Sequence, residues 1–214
     1  MSNYEKEPTL EAGISMGPLI YAAFWLVFAV LHSALARQQV QRELERQLAG
    51  YYRLAYNVVA VLKLSIVYQV GRAWLDVGHF SLFDNSAFFY SALFIKYLGI
   101  AVMLLAVMMY DIGRFAGITQ ALTGERVSSS AHEPLQRRFL NRRVRHPLYT
   151  GAFLILWGGA ISTFDVWTAI WGTLYLLIGT VYEERKLVRI YGDEYRRYQR
   201  EVPKYFPAFS YSKH

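Results

Sequence analysis

The stretch from Leu148 to Tyr182 reads LYTGAFLILWGGAISTFDVWTAIWGTLYLLIGTVY, and Asp165 is its only formal charge. A bilayer core of about 30 Å takes roughly 20 apolar residues per helical crossing. The stretch is long enough for two short crossings, 148–164 and 166–182, with Asp165 as the turn between them. This reading predicts a tight antiparallel helical hairpin, and the rest of the chain repeats its character. Gly17 to Ala36 (GPLIYAAFWLVFAVLHSALA) carries no formal charge, Leu54 to Val70 carries only Lys63, and Ala87 to Tyr110 carries only Lys96.

Apolar residues make up 54% of the 214-residue chain and charged residues 18%. Five such runs leave too little polar surface to cover a soluble helical fold. The expected fold is an all-α integral membrane protein with five transmembrane helices, a C-terminal helical hairpin and a tail helix. Its parts are three N-terminal transmembrane helices in 1–110, a cytoplasmic loop in 111–147, the hairpin in 148–182 and a cytoplasmic tail in 183–214. Glu5, Glu7 and Glu11 stand where a signal peptide would carry positive charge, which argues against one. There is no cysteine, which excludes disulfides and any thiol chemistry by the protein itself.

The net charge of +7 is unevenly spread. Arg37, Arg42, Arg46 and Arg53 follow the first run. Arg114, Arg126, Arg137, Arg138, Arg142, Arg143 and Arg145 follow the third. Arg185, Lys186, Arg189, Arg196, Arg197, Arg200, Lys204 and Lys213 occupy the tail. The N-terminus has only Lys6, and the second connection only Arg72. With five crossings, the positive-inside rule then predicts an outside N-terminus and a cytoplasmic C-terminus, in what would be a bacterial inner membrane. Basic residues of this kind also meet anionic lipid headgroups. No nucleic-acid reader module is present, so nucleic acid is not an expected partner.

Polar side chains concentrate at the two charged ends of the hairpin. Arg145-His146-Pro147-Leu148-Tyr149-Thr150-Gly151 opens it, and Glu183-Glu184-Arg185-Lys186-Leu187 closes it. Antiparallel helices of similar length bring these ends together. Pro147 suits the first position of a helix, which puts His146 at the N-cap. Amides at that end, with the positive end of the helix dipole, welcome a carboxylate. The ring of Tyr149 can face a cation, and Gly151 admits close approach by a ligand or a neighbouring helix. Successive helical residues differ by about 100°, so only one of Glu183 and Glu184 faces inward. Each residue also has a plainer reading: Arg145 reaching for headgroups, His146 as a cap, Tyr149 as an interfacial aromatic, the glutamates as the start of a solvated tail. Their convergence at one depth beside buried helix ends favours a site. His32, Lys63 and Lys96 lie inside the crossings. Lys63 has Asp111 or a backbone carbonyl as expected partners, Lys96 an interface, and His32 a role in helix packing. Thr119 to Gln136 reads as a polar loop.

The strings RHPLYTG, EERKL and YGDEYRRYQREVP, in that order and spacing, resemble the isoprenylcysteine carboxyl methyltransferase superfamily, which includes phospholipid methyltransferases. LHSALA and YDIGRFAGITQAL are similar to its bacterial branch, which contains methanethiol S-methyltransferase and NnrU-type proteins. The resemblance implies an S-adenosylmethionine (SAM)-dependent methyltransferase. Arg145, His146, Pro147, Tyr149 and Gly151 would line the SAM pocket, with Glu183 and Glu184 opposite and the tail as a cap. It makes His146 and Glu184 the candidate catalytic residues, implies no metal, and calls for a small or lipophilic acceptor: a thiol, an isoprenylcysteine-like carboxylate or an amine. Two departures bear on the acceptor. Phe139-Leu140-Asn141 replaces a Gly-Pro-Tyr-like turn, and Glu201 stands where relatives often have a basic residue. No G-x-G-x-x-G follows a strand, so the Rossmann mode of holding SAM is absent. Two other classes share parts of the pattern: non-catalytic NnrU-type membrane proteins and NADPH-dependent reductases of the sterol-reductase type.

Overall fold

The computed structural model of the chain describes residues 16–124 and 134–207. Arg126, with the rest of 125–133 in the expected 119–136 loop, and the acidic N-terminal residues therefore lie outside the described residues. Within them the chain is helical: α1 (Met16–Leu35), α2 (Gln38–Leu48), α3 (Tyr52–Trp74), α4 (Ser86–Val107), α5 (Ile112–Ala116), α6 (Ile118–Thr123), α7 (Pro147–Gly158), α8 (Thr163–Tyr191) and α9 (Asp193–Glu201). Among the described residues, four stretches are long and apolar enough to cross a membrane: α1, the α2–α3 stretch, α4 and α8. No more than 22% of any of their apolar windows is buried within the protein, so most of that surface needs lipid around it. The chain is an integral membrane protein.

The bundle is held by stripes of residues at helical spacing. On α1 the inner stripe is Gly17, Tyr21, Trp25 and Phe28, and on α3 it is Tyr52, Val67 and Gly71. Phe164 of α8 completes the core with ring contacts to Tyr21 and Tyr68. Tyr21 and Thr168 share a hydrogen bond of 2.8 Å, and Tyr56 and His32 share one of 2.7 Å. His32 also stacks on Phe28 and meets Tyr175 edge-on, which is the packing role expected of it.

Helix α7 lies along α4. The backbones touch at two places along the pair: a Cβ on Gly99 would sit 2.8 Å from the carbonyl of Gly151, one on Gly151 would sit 2.8 Å from that of Gly99, and one on Gly158 would run into the Lys96 backbone nitrogen. Of the two neighbours that the sequence allowed for Gly151, the structure supplies the helix. Small residues of this kind are how helices approach closely in a bilayer, where lipid tails are as apolar as leucine.

The hairpin is asymmetric. Helix α7 has 12 residues against the 17 expected of its crossing, and α8 has 29. The turn is not at Asp165 but at 159–162, after Gly158-Gly159. Ser162 is the N-cap of α8: its hydroxyl accepts from the Asp165 amide at 3.1 Å and donates to the Asp165 carboxylate at 2.6 Å. A Ser-x-x-Asp cap holds the aspartate inside the first turn, where its charge suits the helix dipole.

The connection after α4 is also more ordered than a loop. Asp111 caps α5 by accepting from the Arg114 amide at 2.9 Å, and it lies 3.7 Å from the Arg114 guanidinium. Asp111 is thus engaged away from Lys63, whose Nζ is buried without a hydrogen-bond partner among the described residues. Lys96 runs beside Gly159 at the far end of α7. Arg53 and Asn57 of α3 hold the α5 carbonyls of Phe115 and Ala116 at 3.0 to 3.2 Å. These bonds gather the basic segments at one end of the bundle.

Candidate active site

At that end, Tyr149 on the first turn of α7 faces Glu183 on α8. Helix α8 continues eight residues past Glu183, ending at Tyr191. Gly192, at φ +58°, then breaks the helix direction in a conformation that favours glycine. Helix α9 and residues 202–207 come back over the start of α7. Carbonyls of this returning strap accept the α7 leader's amides, Arg145 N–H to Pro203 at 2.9 Å and His146 N–H to Lys204 at 3.0 Å. Those two amides therefore hold the tail, not a ligand. Thr150 donates to the Tyr205 carbonyl, and Thr180 shares a hydrogen bond with the Tyr205 hydroxyl.

Glu184 is the hub beneath the strap. Its Oε1 accepts from Arg145 Nε at 2.9 Å and pairs with His146 Nε2 at 3.1 Å. Its Oε2 lies 3.3 Å from Gln199 Nε2 and 3.5 Å from Lys204 Nζ. A carboxylate with a guanidinium, an ammonium and two further donors around it is ionised, and it uses every lone pair. The side chains of Glu184 and Arg145 are only 13% and 10% exposed, so the pair is held at protein-interior strength rather than as a surface contact. Arg145 also donates to the carbonyls of Gln199 and Val202, closing the α9 end.

Glu183 sits on the rim, 42% exposed. It accepts from the Tyr149 hydroxyl at 2.9 Å and lies 3.8 Å from His146 Nδ1. Of the two glutamates, Glu184 is the inward one and Glu183 the one open to a ligand. His146 itself is buried, flanked by the rings of Tyr149 and Tyr205. Pro147 is buried at the first helical position, as its missing N–H allows.

A second layer stands behind this one. Tyr198 is buried and donates to the Asn141 carbonyl, and Arg137 stacks on its ring at 5.1 Å while pairing with Glu201. Burial pushes the Tyr198 phenol up to about 12, so it remains a neutral donor. The Phe139-Leu140-Asn141 turn has the left-handed backbone that glycine takes most easily, with Phe139 at φ +53°. The substituted segment thus keeps a turn that needs positive φ, at a cost of about 1 kcal/mol.

All seven candidate residues lie in this region, although Gly151 faces α4. Sequence reasoning gave no site role to Gln199, Lys204, Tyr205 or Thr180. Lys204 alone carried a readable signal, a cation directly after the Val-Pro of the tail motif.

A model of the phospholipid methyltransferase family matches residues 94–194 of the chain. The chain is 31% identical over 191 residues to methanethiol S-methyltransferase of Mycobacterium tuberculosis, covering 85% of this chain and 74% of that protein. It is 29% identical to the methanethiol S-methyltransferase of Pseudomonas deceptionensis, covering 85% of this chain and 70% of the relative. It is 25% identical to methanethiol S-methyltransferase 2 of Bradyrhizobium diazoefficiens, covering 97% and 81%. No solved structure matches it. The fold and these likenesses together define a membrane methyltransferase. The chain belongs to the phospholipid methyltransferase family, in the isoprenylcysteine carboxyl methyltransferase-like bacterial branch where the methanethiol S-methyltransferases fall.

Proposed function

We propose that the methyl donor is SAM and that the acceptor is a thiol, methylated at the basic face of the membrane. The observation that carries this reading is the pairing of two carboxylates with different jobs, Glu184 saturated beneath the strap and Glu183 open beside Tyr149. Bound SAM would supply an electrophilic methyl on a sulfonium, and the resident side chains suit its other groups. The Tyr149 ring and the Glu183 carboxylate match a cation. Lys204 and Arg145 offer positive charge for a carboxylate at the same end.

Glu184 acts as an organiser. By accepting from Nε2 of His146 it fixes the tautomer in which Nδ1 carries the lone pair, an assignment made from the hydrogen-bond network. Nδ1 is then placed to take the proton that a thiol must lose as its sulfur bonds the methyl carbon and the donor's methyl–sulfur bond breaks. From Nδ1 the proton passes to Glu183, 3.8 Å away and open to water. The remaining rate comes from holding the two reactants in line. On the positive-inside rule this face is cytoplasmic, with the N-terminus outside and a bacterial inner membrane as the host.

Calorimetric titration of the detergent-purified chain with SAM tests the reading. Micromolar binding that weakens at least tenfold in Glu183→Gln is the expected result. A folded wild-type chain that binds no SAM would overturn it, and NADPH would be the next ligand to titrate.

A further inference from the structure

Below the charged end, a cavity of about 340 Å³ opens between α1, α3, α4, α7 and α8. Trp25, Phe28, Val67, Met103, Leu156 and Gly172 are among its walls. The hydroxyls of Tyr21 and Thr168 also border it, but they bond each other, so the surface offered to an occupant is hydrocarbon. On α8 the wall runs from Thr168 to Leu176, about 12 Å of helix. On α7 it begins at Ala152, three residues and so about 4.5 Å along the helix from Tyr149. Along α7 the cavity's upper end therefore stands about one helical turn below Tyr149, and along α8 its last wall residue, Leu176, stands about 10.5 Å from Glu183.

We infer that this cavity is the acceptor chamber and that the natural acceptor is a thiol with an alkyl tail, not one as small as methanethiol. The inference rests on the proposed methyl transfer and names its substrate class. Three features select this occupant. A chamber of this volume falls in the range of sites for ligands of many heavy atoms, about 300–1,000 Å³, whereas methanethiol would leave most of it unfilled. Its lining rewards hydrocarbon and gives a second polar group nothing to bond. Its one-turn offset from Tyr149 lets a tail lie among α1, α3 and α8 while the sulfur reaches His146. An apolar acceptor dissolved in the bilayer would then need no path through water.

The test is a chain-length series on the full chain in detergent: methanethiol, butanethiol and octanethiol, each with SAM. Octanethiol should exceed methanethiol in kcat/KM by at least tenfold. Ala152→Leu and Leu176→Phe fill the chamber from two different helices, and each should cut octanethiol turnover at least tenfold. SAM affinity should be unchanged in both. Thermal melts of the two variants identify either one that fails to fold. Equal kcat/KM across the series would overturn the inference, as would filled variants that still methylate octanethiol, the result expected if a membrane lipid chain occupies the space. Either outcome leaves the proposed function standing when SAM binds and methanethiol is methylated. A wild-type chain that binds no SAM overturns both.

Discussion

The two ends of the bundle are built from different forces. In the interior, α1, α3 and α8 meet through Tyr21, Trp25, Phe28, Val67 and Phe164, and directional bonds are few. At the basic end, Arg145, His146, Glu184, Gln199 and Lys204 are fixed by bonds with defined atoms and angles. Apolar packing tolerates a gap of 340 Å³; the charged cluster tolerates none, because an unpaired buried charge costs several kcal/mol. The difference teaches where each task belongs. Positioning of reacting atoms belongs to the end with direction, and accommodation of a greasy substrate to the end without it.

The contrast can be broken most severely at its hub. Glu184→Ala leaves Arg145 and Lys204 without their shared carboxylate, and breaking a buried pair of this kind costs about 3–5 kcal/mol. Methyl transfer should fall by more than a hundredfold and the melting temperature should drop in detergent. Retained activity would show that the cluster is not the site.

An interior truncation should do the opposite. Phe28→Ala removes a buried ring from the α1 core at a cost of about 3–5 kcal/mol in stability, yet SAM affinity at the far end should move less than twofold. A melt and a titration on one preparation decide whether the two ends are separable. Tyr149→Phe deletes a single hydrogen bond to Glu183, about 1 kcal/mol. SAM affinity should weaken about fivefold, and the melting temperature should fall slightly. The smallest effect is at Phe139, where Phe139→Gly relieves a positive φ and should stabilise the chain by about 1 kcal/mol, seen as a small rise in melting temperature.

The long apolar runs were legible because bilayer thickness imposes a length on them; α1, α3 and α4 fall where hydropathy puts them, while α8 runs on to Tyr191, past the expected end at Tyr182. The end of α7 was not. Hydropathy cannot distinguish a helical apolar residue from one in the 159–162 turn, and the Ser162 hydroxyl, not the charge on Asp165, decides where α8 begins. On the site, helical spacing showed that one glutamate must face in; it took the coordinates to show that Glu184 does. Lys204, Tyr205 and Gln199 arrive through a bend at Gly192 and a returning strap. Such long-range placement leaves no periodic trace in a sequence.

The shortness of α7 reaches beyond the protein. Twelve residues span about 18 Å, well short of a bilayer core, so its far end stops at a depth where acyl chains would otherwise lie. There the chain between α3 and α4 comes in to meet it: the Phe80 amide donates to Ile161 at 2.9 Å, and the Phe164 amide to Asp76 at 2.9 Å. Irregular backbone at that level needs protein or water beside it. The connection between α3 and α4 supplies that protein, and the host membrane's thickness becomes a variable to which the short hairpin arm responds.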